Sequence, residues 1–149
     1  IELKKQMARP SGCYFLGSKA TKVFAKFSDR SEKDTPIIID TGSDITLVSQ
    51  KALNDMLRAP KLKTGQRINL VQVTGGTTIN GYVIMDLIFE TDQGPVKMNL
   101  EAYVVKGMTT PFILGNDFAD QYMLSVVRSD EGTKLLFGNT GRSMFTSNS

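Results

Sequence analysis

Apolar and polar positions alternate along most of this chain with period two, which predicts strands rather than helices. Val23, Ala25 and Phe27 share one side of a half-buried strand, and Ser28 to Thr35 is a charged turn. The next run changes character. Ile37, Ile38 and Ile39 offer no polar face, so they read as a strand covered on both sides, stopping where Gly42 lets the backbone turn sharply. The two strands make a hairpin that presents Asp40 at its end, with the Thr41 and Ser43 hydroxyls near enough to hydrogen-bond it or its neighbours.

Ile45 to Val48 is again apolar, and Ser49 is a good N-cap for a helix whose Leu53, Met56 and Leu57 share a face until Pro60. Ile68 to Val73 and Ile79 to Glu90 read as a β-hairpin around the tip Thr74-Gly75-Gly76-Thr77-Thr78. Val83, Met85, Leu87 and Phe89 then line one side of a long strand, and after the turn Asp92-Gln93-Gly94-Pro95 so do Met98, Leu100, Ala102 and Val104. Phe112-Ile113-Leu114-Gly115 is a second short buried run closed by glycine. Asn116 is placed to cap a short helix with Asp117 in its first turn and Phe118 and Tyr122 on one face. Leu124 to Arg128 and Lys134 to Phe137 read as strands around a turn.

Composition narrows the class. A chain of 149 residues with 40% hydrophobic content supports one core, so the expected division is an arm over 1–12, one domain over 13–137 and a flexible polar tail over 138–149. The first residue is Ile1 rather than Met, as in a fragment or a processed product. No apolar run approaches the length of a membrane helix, and a soluble, cytoplasmic protein is expected. The single cysteine, Cys13, has no internal disulfide partner, and zero histidines remove Ser-His-Asp chemistry and the common zinc ligands together. No metal or cofactor is called for. The net charge of +3 is scattered and not interleaved with aromatics, which favours a solvated surface over a nucleic-acid site.

The run Ile37 to Ser43, followed about seventy residues later by Phe112-Ile113-Leu114-Gly115-Asn116-Asp117-Phe118, with a Gly-rich hairpin between them, resembles the retropepsins. These are the aspartic proteases of retroviruses and long-terminal-repeat retrotransposons. The resemblance covers roughly residues 20 to 137. It implies an all-β fold with one or two short helices, a closed retropepsin-like barrel carrying a flap hairpin. Aspartic protease chemistry needs two carboxylates, and the chain carries one Asp-Thr-Gly, so the resemblance implies a homodimer with Asp40 and its mate across a two-fold axis. Two such carboxylates share one proton and supply an acid and a base together.

Carried over residue by residue, Asp40 is the catalytic aspartate and Thr41 braces the two loops across the dimer. Gly42 offers its carbonyl to the substrate, and Asp44 binds substrate main chain. Thr74, Gly75, Gly76 and Thr77 form the flap tip. Ile113, with Leu114 and Gly115, supports the catalytic loop and borders the substrate. Two positions depart from the pattern. Asn116 stands where retroviral members commonly place an arginine that pairs with the acid matched by Asp44. Ser43 replaces a common alanine, and in pepsin-like members a serine here hydrogen-bonds the aspartate. The implied function is an endopeptidase that cuts a retroelement polyprotein, an extended polypeptide with apolar residues flanking the cut, in the cytoplasm or within the element's particle. A dimerisation or peptide-binding module with little or no cleavage is the alternative.

Overall fold

The computed structural model describes residues 21–40, 42–64, 78–138 and 140–146. The expected arm over 1–12, Cys13, the strand Ile68 to Val73 and the tip Thr74 to Thr77 lie outside the described residues. Among the described residues six strands close into a barrel, and three more form a separate sheet.

β1 (Thr21–Phe27) and β2 (Asp34–Ile39) are the antiparallel hairpin expected from the alternation, with Val23 opposite Ile37. Ile37 and Ile39 are buried, whereas Ile38 is only half-buried. The expectation of a strand covered on both faces is therefore corrected: β2 has one core face, and Ile38 points away from it. β3 (Leu47–Ser49) runs antiparallel to β6 (Phe112–Leu114) and parallel to β5 (Gly94–Lys106), while β2 runs parallel to β6. β4 (Thr78–Thr91) and β5 form the long hairpin whose inward residues Val83, Met85, Leu87, Phe89, Met98, Leu100, Ala102 and Val104 fill the barrel.

α1 (Gln50–Asn54) starts as expected, with the Ser49 hydroxyl accepting from the Ala52 N–H at 2.9 Å. It stops sooner than expected. Leu53 is buried but Leu57 is 74% exposed, because the Leu57 and Arg58 N–H groups turn to the Glu32 carboxylate instead of continuing the helix. α2 (Asn116–Gln121) begins after Gly115, with no side-chain cap, so Asn116 is the first helical residue rather than the cap.

β7 (Leu124–Ser129) and β8 (Gly132–Phe137) match the two predicted strands, but the polar tail expected from residue 138 contributes a third, β9 (Ser143–Phe145), paired to β8. Arg142 fastens it by donating to the Pro95 carbonyl at 2.9 Å. Leu135 and Phe137 of β8 join the barrel core, where the Phe137 ring lies 4.9 Å from that of Phe89. Each such fully buried side chain stabilises the fold by about 1.5–3 kcal/mol.

Candidate active site

Asp40 sits one residue past β2, and its N–H donates to the Leu114 carbonyl at 3.0 Å, which extends the β2–β6 ladder by one rung. Its carboxylate is exposed in the single chain and accepts from the Gly42 N–H at 3.0 Å. The Asp40 carbonyl accepts from the Ser43 N–H, and the Ser43 carbonyl from the Asn116 N–H at 2.7 Å. The loop is thus pinned at both sides by main chain of the β6–α2 segment. The carboxylate occupies a fixed place without being buried.

Gly115 makes this pinning possible. A Cβ there would lie 2.2 Å from the Ile45 carbonyl oxygen and 2.9 Å from that of Ser43, so the loop rests directly on bare backbone. A second brace joins the same two segments. The fully buried Thr46 donates its hydroxyl to Asp117 Oδ1 at 2.7 Å and its N–H to Oδ2 at 3.1 Å, while its hydroxyl accepts from the Gly115 N–H at 3.1 Å. Asp117 thus accepts both bonds from Thr46, the kind of charge-assisted bonds that hold geometry most firmly.

The Ser43 hydroxyl donates to the Ile45 carbonyl at 2.8 Å rather than to the Asp40 carboxylate, which corrects the expectation from pepsin-like members. Asp44 is exposed beside the loop. Gly42 is exposed next to Asp40, Ile113 is half-buried, and Thr41 with Thr74, Gly75, Gly76 and Thr77 lies outside the described residues.

The register places an apolar shelf beside the carboxylate. Ile38 pairs with Ile113, Ile113 with Leu47, Leu47 with Tyr103, and Tyr103 with Tyr82, so these five side chains share the outer face of the barrel. Asp40, two residues beyond Ile38, belongs to that face. The Tyr82 and Tyr103 rings lie 6.4 Å apart at its far end. Ile38, Leu47, Tyr82, Tyr103, Thr46 and Asp117 were not singled out for the site by sequence. The half-polar setting of Ile38 was hidden inside an unbroken isoleucine run, and the Thr46–Asp117 bond spans 71 residues.

The larger of the described cavities, about 630 Å³, lies at the other end of β2 between Pro36, Ala52 and Pro111, away from Asp40. Among the described residues no group of three or more His, Cys, Asp or Glu could hold a metal ion, and no helix is long and apolar enough to cross a membrane.

No protein-family model and no curated protein sequence matches the chain. Its fold does have solved counterparts. The retroviral protease-like domain of Ddi1 from Leishmania major superposes with a TM-score of 0.59 at 12% identity, covering 85% of this chain and 95% of that one. EIAV protease in complex with the inhibitor HBY-793 superposes with a TM-score of 0.54 at 15% identity, covering 74% and 95%. The chain has a retropepsin-like fold: a mostly β structure with two short helices among the described residues and a closed six-stranded barrel.

Proposed function

We propose that this protein is an aspartic endopeptidase that works as a homodimer, with Asp40 of each copy supplying one of the two reacting carboxylates. The observation that carries the reading is the exposed Asp40 carboxylate, held at one end of an apolar shelf, half-buried except at the buried Leu47, by a loop pinned to the β6–α2 segment. A lone carboxylate is either acid or base at a given moment, and peptide hydrolysis by this route needs both. With a second copy facing the first, one Asp40 takes a proton from water while the other, protonated, hydrogen-bonds the scissile carbonyl and polarises it. The water oxygen then adds to the carbonyl carbon, and the leaving nitrogen collects a proton as the C–N bond breaks. The remaining acceleration comes from holding peptide and water in register.

The surface for the second copy is the outer edge of the C-terminal sheet. Five of the six residues of β7 are exposed. Val126, on the same face as the buried Leu135, is 36% exposed, and Val127, on the opposite face, 45%. Among the described residues only β8 pairs with β7, which leaves a strand edge with apolar groups on both faces. An antiparallel copy of β7 meets the hydrogen-bonding needs of that edge and covers both valines.

The substrate is an extended polypeptide. The outer-face row from Ile38 to Tyr82 suits apolar side chains near the cut. The polyprotein of a retroelement, cut in the cytoplasm or in the element's particle, is the substrate class in keeping with the resemblance in the two motifs. The test is mass spectrometry of a mixed peptide pool incubated at high protein concentration with the wild-type chain and with Asp40→Asn. Cuts between apolar residues that disappear in the variant are expected. Cuts that persist remove Asp40 from the mechanism, and a wild-type dimer that cuts nothing favours a peptide-binding module.

A further inference from the structure

Glu32 is a buried carboxylate with no part in the chemistry described above. It is 7% exposed, and an acid so buried needs partners. It takes part in none of the ion pairs among the described residues. Its Oε2 instead accepts from two main-chain N–H groups, Leu57 at 2.9 Å and Arg58 at 3.3 Å. Both belong to the segment that leaves α1.

That segment has little hydrophobic attachment. Leu57 is 74% and Leu62 41% exposed, and Arg58, Ala59, Lys61, Lys63 and Thr64 are exposed as well. Its second fastening is at the far end, where Lys63 and Tyr82 exchange both backbone hydrogen bonds, at 2.8 and 2.9 Å. The approach is close: a Cβ at Gly81 would lie 2.4 Å from the Lys63 carbonyl oxygen. Residues 57–63 are therefore a strap tied at one end to Glu32 and at the other to the start of β4. Tyr82, at the β4 end, is also the last member of the row that leads through Tyr103, Leu47 and Ile113 to Ile38 beside Asp40.

We propose that Glu32 is a positioning residue for the peptide-binding shelf: its carboxylate anchors the strap, and the strap, through Lys63, holds the first part of β4 and Tyr82 in place. Its consequence for substrate rests on the protease reading above, while the anchoring itself does not. An ionised acceptor holds N–H donors more strongly than a neutral amide, so Glu32→Gln weakens the anchor and Glu32→Ala removes it.

The test is amide hydrogen exchange on the full chain for wild type, Glu32→Gln and Glu32→Ala, alongside kcat and KM for a cleaved peptide. Exchange at Leu57, Arg58, Lys63 and Tyr82 is expected to rise together, roughly tenfold or more in the alanine variant and less in the glutamine one, with Ile39 and Asp40 unchanged. KM rises and kcat holds. Faster exchange throughout the barrel overturns the proposal, because Glu32 then contributes only general stability. Acceleration confined to Leu57 and Arg58 also overturns it, because the anchor then fails to reach β4. If Glu32→Ala does not fold, Glu32→Gln carries the comparison. A wild-type chain that cleaves nothing counts against the protease reading, and the exchange pattern still decides the anchor.

Discussion

Replacing Gly115 by alanine inserts one methyl group where the Asp40 loop rests on the β6–α2 junction. The new carbon would stand 2.2 Å from the Ile45 carbonyl oxygen, 2.5 Å from the Ile45 carbonyl carbon and 2.9 Å from the Ser43 carbonyl oxygen. All three are backbone atoms, so no side chain can swing aside. Restoring ordinary contact requires the loop to retreat by about 1 Å, and overpacking of this kind costs about 1–3 kcal/mol or more. At about 2–4 °C per kcal/mol for a chain of this size, the melting temperature should fall by roughly 2–12 °C. Activity should fall further than stability does, since a shift of about 1 Å at a reacting group costs on the order of 10²-fold in rate. The assay is thermal unfolding followed by circular dichroism, together with peptide cleavage well below the melting temperature. A variant that melts and cleaves like the wild type would refute the close approach of loop and junction.

Asp117→Ala removes the acceptor for the N–H and hydroxyl of the fully buried Thr46; we expect a loss of about 2–4 kcal/mol by denaturant titration, partly restored in Asp117→Asn. In the proposed dimer Val126→Lys would place like charges near the two-fold axis on a residue already 36% exposed, so sedimentation should show a folded monomer without activity. Cleavage should show a bell-shaped pH dependence biased to the acid side, because two carboxylates sharing one proton are inactive when both or neither carries it; a flat profile through pH 8 would argue for other chemistry.

The barrel strands and the place of Asp40 were legible because both depend on local pattern. Alternation in β1, β4 and β5 marks a packed face, and an apolar run ending in Asp-Thr-Gly marks a strand that stops at a turn. What escaped was set by distant residues. α1 ends early because Glu32, 25 residues before Leu57, takes the amides that the helix would have used. Ile38 reads as core from its neighbours, but parallel pairing with β6 turns it outward beside Ile113. The Thr46–Asp117 brace depends on β3 and α2 meeting through β6. β9 was missed because three residues, one of them the half-exposed Phe145, give no usable period.

The central claim is that one active site takes an Asp40 from each of two copies, and the most direct test mixes wild type with Asp40→Asn at fixed total concentration, well above the dimer dissociation constant and after full exchange of subunits. If only dimers with two Asp40 carboxylates cleave, activity follows the square of the wild-type fraction and falls to about one quarter in an equal mixture. Activity proportional to the wild-type fraction, about one half in that mixture, would mean that each chain cleaves on its own and would contradict the account.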